Sequence, residues 1–108
     1  MENLAEILDR VAAAAIWQRE RADRASKEAI QAHDGTGDFS EVSEMTRQWF
    51  EGNACGIHSG RRDAANILDS IAVALAAIVG TEVPDGHAAR ERVLAKAREQ
   101  VSLPTFGS

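Results

Sequence analysis

From Ser40 to Val79, apolar or small residues recur at steps of three and four, and this run constrains the fold more than any other feature of the chain. Val42, Met45, Trp49, Gly52, Gly56, Gly60, Ala64, Ile67, Ile71, Ala74 and Ile78 fall on one face of a single long helix, with Gly80 placed to end it. Within the run, Gly52, Gly56 and Gly60 stand four apart and Ala64 follows. Each helix-interior Gly costs about 0.8–1 kcal/mol relative to Ala, so three cost about 3 kcal/mol. That is a large share of an ordinary stability of about 5–15 kcal/mol, so something must offset it. Close approach of another helix or an aromatic ring does so, and the spacing resembles small-xxx-small packing seams. A glycine-rich loop between two shorter helices, or a ligand lying on the bare backbone, would account for the same residues. A phosphate loop would not, because no Lys-Ser or Lys-Thr follows and no strand precedes.

A second helix is expected over about 3–33. Asn3 and Glu6 form a capping-box variant, and Leu4, Ile7, Leu8, Val11 and Ala15 follow at helical spacing. Its later half is a charged surface around the narrow stripe Ala22, Ala25 or Ser26, Ala29 and Ile30. Asp34-Gly-Thr-Gly-Asp38 then breaks the chain. Asp38 or Ser40 is positioned to cap a helix over 39–79, and a shorter helix over 86–101 turns Ala89, Val93, Ala97 and Leu94 inward. The composition agrees. Ala contributes 20 residues of 108, Pro only two and Tyr none. Ala loses no side-chain entropy in a helix, so this bias favours helix over sheet.

The expected fold is therefore all-α: a long antiparallel helical hairpin plus a shorter third helix, in one domain over 1–103 with a loose tail over 104–108. Helices of roughly 45 and 60 Å exceed a compact monomer whose radius of gyration is near 13 Å, which predicts a homodimeric bundle. The seam would comprise Trp17, Met45, Trp49, Gly52, Gly56, Gly60 and Ala64. A hairpin closed by the Asp34–Asp38 turn sets Trp17 opposite Gly52 to Gly56, the indole filling the space the glycines leave. On that packing Gly56→Ala is neutral or destabilising.

Chemistry-bearing residues are sparse. Cys55 and His58 lie three apart, and two ligands do not make a zinc site. Cys55 has no sequence neighbour placed to activate it as a nucleophile. Arg61 and Arg62 point about 100° apart on a helix, which suits pairing with acids of the first helix better than one shared phosphate. No catalytic residue, metal or cofactor is expected. The net charge of −5 argues against a protein that coats nucleic acid. The single Cys fits a reducing compartment, and MENLAEILDR lacks the features of a signal peptide. The longest apolar run, Ile71 to Val79, is far short of the about 20 residues a membrane span needs. A cytoplasmic bacterial or phage protein is expected.

Asp34, Asp38, Glu41, Glu44 and Glu51 form an acidic cluster suited to engaging another protein. The favoured function is a non-enzymatic interaction module, homodimeric, with an unidentified protein partner. A phage-type acidic inhibitor that blocks the nucleic-acid-binding groove of a host enzyme uses the same cluster. A third reading rests on Glu41-x-x-Glu44 and Asn66-x-x-Asp69. This arrangement resembles the all-α NTP pyrophosphohydrolases over about 60 residues. The resemblance implies E-x-x-E and E-x-x-D pairs holding magnesium against nucleotide phosphates. Asn66 stands where that family has Glu, which removes an anionic ligand. On one continuous helix, Glu44 and Asn66 would be roughly 33 Å apart.

Overall fold

The computed structural model describes residues 3–101, so the tail expected over 104–108 lies outside the described residues. The chain is all-α, an antiparallel helical hairpin with a third helix. Helix α1 runs Leu4–Asp34, α2 runs Glu44–Val79 and α3 runs Gly86–Val101; a 3-10 turn, Gly37–Phe39, lies between α1 and α2. Among the described residues there is no strand. The chain divides into two compact units: Trp17–Asn66, and the described residues up to Ile16 together with those from Ile67 onward.

The helix ends follow from short-range chemistry. Asn3 caps α1 by accepting the Glu6 backbone N–H at 2.9 Å. Both α1 and α2 end in a glycine with positive φ, Gly35 at 68° and Gly80 at 82°. The next residue's N–H reaches back into the last turn: Thr36 to the Gln31 carbonyl at 3.0 Å, and Thr81 to the Ala76 carbonyl at 3.0 Å. This is the Schellman arrangement, which satisfies carbonyls the helix leaves over.

The start of α2 differs from expectation. Neither Asp38 nor Ser40 caps it. Ser43 does, with its Oγ 3.4 Å from the Thr46 backbone N–H, and the helix begins at Glu44. The intervening residues form the 3-10 turn because it buries Phe39, whose ring packs edge-on against Phe50 at 5.5 Å. The longer connector shifts the register of the hairpin. Gln18 accepts from Arg61 at 3.1 Å and Ala22 pairs with His58 at 2.9 Å, so the Trp17 neighbourhood meets α2 beyond Gly60 rather than at Gly52 to Gly56.

In the Trp17–Asn66 unit the buried residues are Ala22, Ala25, Ala29, Ala32 and Phe39 before α2, and Ala54 and Ala65 within it. Arg47 closes the helix pair by donating from Nη1 to the Ala32 and His33 carbonyls, both at 3.1 Å. This places a cation at the C-terminus of α1, where the helix dipole favours one.

In the other unit Leu8 packs with Ala72 and Ala76, flanked by Val11 and Leu75, and Ala89 of α3 is fully buried. Leu4 and Ala97, expected inside, are exposed. Asp85 caps α3, accepting the Ala88 N–H at 3.0 Å. Asp9 accepts two bonds from Arg92, at 2.8 and 2.7 Å, and Lys96 meets Glu6 at 2.7 Å. The Lys96 hydrogen bond holds the Glu6 carboxyl below its ordinary 4.5. A depressed carboxyl stabilises the fold above that pH, and the contribution is lost as pH falls through the folded value. Lys96→Met should therefore reduce the difference in unfolding midpoint between about pH 6 and about pH 3. An unchanged difference would show that this pair adds nothing.

Candidate functional site

The face of α2 expected to point inward points outward. In the Trp17–Asn66 unit, Met45 is 82% and Trp49 64% exposed. A Cβ placed on Gly52, Gly56 or Gly60 would meet nothing within 4 Å. In the other unit, Ile67 is 62% and Ile78 70% exposed, and Ile71 and Ala74 are exposed as well. The intrachain part of the seam reading is thus corrected. Trp17 does not cover the glycines, and it is itself partly exposed on α1. The physical reason is that α2 carries two apolar faces. One bears Ala54, Ala65, Ala72 and Ala76, all buried; the other bears the glycines and the large residues. Small Ala side chains let α1 come close, so the alanine face goes inside.

The open surroundings of Gly56 also reverse the expected sign of Gly56→Ala. At concentrations where the chain is alone, this change should raise stability by up to about 1 kcal/mol, the difference in helix propensity. Thermal unfolding of a dilute sample checks it; a fall in stability would mean the site is crowded within the chain.

Trp49 has one aromatic neighbour among the described residues. Its ring sits edge-on to Phe50 at 5.0 Å, and Phe50 in turn meets the buried Phe39. The indole is held outward on an aromatic base, at low ordering cost for any group that covers it. Ala64 is half-buried at the end of the glycine series.

The acidic cluster separates into two kinds of residue. Asp34, Asp38, Glu41 and Glu44 are exposed around the start of α2. Glu51 is half-buried and holds His33, Nδ1 to Oε1, at 3.0 Å. Beside it lies a groove of about 680 Å³ between α1 and α2, lined among others by Ile30, His33, Glu51, Cys55, His58 and Arg62. Its polar groups are partly committed to structure. His58 donates from Nδ1 to the Ala22 carbonyl at 2.9 Å, since a carbonyl can only accept. Arg61 pairs with the Gln18 amide oxygen rather than with an acid. Arg62 is exposed, lines the groove and makes no ion pair among the described residues.

Among the described residues no group of three or more His, Cys, Asp or Glu side chains is placed to hold a metal. α2 is continuous through Glu44 and Asn66, which sets them roughly 33 Å apart, and Asn66 accepts from Arg19 at 3.3 Å. The two halves of the magnesium-binding arrangement are therefore not brought together. No helix among the described residues is long and apolar enough to cross a membrane. No family model, curated protein or solved structure matches the chain.

Proposed function

We propose that this chain is a non-enzymatic helical interaction module that acts as a homodimer and binds another protein. The observation that carries the reading is the outward face of α2, where Met45 and Trp49 flank three glycines with open space above them. Exposed apolar surface of this kind marks an association site. Covering a Trp ring that is 64% exposed removes roughly 100–150 Å² from water, or about 3 kcal/mol at about 25 cal/mol/Å². A two-fold dimer counts that ring twice, which offsets much of an association cost of about 4–15 kcal/mol. The glycines allow a partner helix to approach closely, the compensation their poor propensity requires.

The same arrangement leaves Asp34, Asp38, Glu41 and Glu44 in solvent. With a net charge of −5, this end of α2 suits a basic partner surface, and the attraction would act mainly on association rate and specificity. Light scattering between about 1 and about 100 µM tests the dimer, because an association equilibrium must respond to concentration. Twice the chain mass of 11.6 kDa is expected at the upper end. A mass of one chain throughout the range overturns the reading.

A further inference from the structure

The groove between α1 and α2 lies within the Trp17–Asn66 unit. We infer that it docks an amphipathic helix of the partner protein, which sets an acidic residue on Arg62 and a basic residue on Glu51 and Asp34. This rests on the protein-binding half of the proposed function and is independent of the homodimer.

The two units use the same pair of helices differently. In the other unit α3 lies against α1, with Gly86 at Ile16 and Arg92 on Asp9. Between Trp17 and Asn66 the pair stands without a third helix among the described residues. The groove of about 680 Å³ is surface that this pair leaves uncovered. Ile30 lines it from α1 and is 59% exposed, and Cys55 lines it from α2 and is exposed as well. An apolar side chain open to solvent in a groove between helices suits the apolar face of a docked helix.

Charge gives the occupant its chemistry and its direction. Arg62 stands at one end of the groove, and Glu51 and Asp34 line the other. His33 holds Glu51 at 3.0 Å, but a carboxylate has about four acceptor sites, and Asp34 is exposed beside it. From Glu51 to Arg62 along α2 is about 16 Å, or about three helical turns. A small metabolite would reach only one of these ends. Residues eleven apart on a helix return to within about 20° of the same face, so one face of one docked helix meets both. A helix with its acid in the first turn and its base in the last also satisfies its own dipole, and it would run antiparallel to α2. A nucleic acid fits poorly, since the groove would oppose its phosphates with two carboxylates.

The probe is a synthetic peptide of about 17 residues, built on Ala and Gln, with Glu in its first turn, Leu four and seven residues later and Lys eleven residues later. A counterpart exchanges the Glu and the Lys. In heteronuclear NMR spectra of the full chain, the first peptide should shift the backbone amides around Ile30, Cys55 and Arg62. It should bind about tenfold more tightly than the counterpart, because the exchange turns two attractive pairs into repulsive ones. Arg62→Glu should remove most of that preference. Alkylation of Cys55 by iodoacetamide should slow by about fivefold or more at saturating peptide, a readout that needs no variant. Equal affinity for the two peptides, an unprotected Cys55, or shifts confined to the acidic residues around the start of α2 overturns the inference. The dimer is judged separately by light scattering. A monomer that takes the peptide in its groove keeps this inference and loses the homodimer; a dimer that ignores the peptide does the reverse.

Discussion

Trp49→Ala removes the ring from both copies and should weaken the dimer by up to about 6 kcal/mol, a Kd raised well over a hundredfold, while leaving the isolated chain nearly as stable as before. The two halves of that expectation have different sources. The loss of affinity follows from the 64% exposure of the ring, its fixed position against Phe50 and its place beside the glycines. The small change in the chain follows because the ring contributes to folding mainly through one edge contact, a matter of about 1 kcal/mol. Equilibrium sedimentation reports the first and dilute thermal unfolding the second. A dimer unaffected by Trp49→Ala would move the interface elsewhere. A chain that unfolds would show that Trp49 belongs to the core.

Gly86→Ala should destabilise the chain by about 1–3 kcal/mol even though Ala is the better helix former. Gly86 opens α3, and a Cβ there would overlap the Ile16 side chain and stand 3.2 Å from the Ala12 carbonyl oxygen. Ile16 is β-branched and stiff at χ1, so it cannot easily swing aside. Chemical denaturation checks the size, and Gly86→Ala with Ile16→Ala should recover part of the loss by vacating that space. If Gly86→Ala alone stabilises, α3 is free to move off α1. Close helix packing that depends on glycine thus occurs at Gly86, whereas the sequence pointed to Gly52, Gly56 and Gly60.

That contrast shows what periodicity can and cannot convey. Steps of three and four located α1 and α3 to within a residue and the end of α2 correctly, but missed its start by five residues; the Asn3 cap and the Gly80 stop were legible because each depends only on neighbours in the chain. Which face of α2 goes inside was not legible. Both faces repeat at helical spacing, and weighting by size favours Met45, Trp49 and Ile67 over the alanines that are actually buried. The late start of α2 was hidden for a related reason. It depends on Phe39 reaching Phe50, a contact across the connector that no cap motif announces. The packing role of Gly86, at the start of the third helix, was not legible because its neighbour Ile16 is far away in sequence. The acidic cluster was legible as exposed charge except at Glu51, whose His33 partner belongs to the other helix.

The alanine interior has a thermodynamic consequence. No large side chain is fully buried among the described residues, and most of what is buried is a methyl group on a helix. Little apolar surface leaves water when a single chain folds, so its heat capacity of unfolding should fall below the usual about 12–15 cal/mol/K per residue. A small heat capacity change flattens the dependence of stability on temperature and leaves the enthalpy nearly constant across it. Pairing through Trp49 and Met45 would add the apolar burial that the interior lacks. Calorimetric scans would then sharpen and curve as the protein concentration rises.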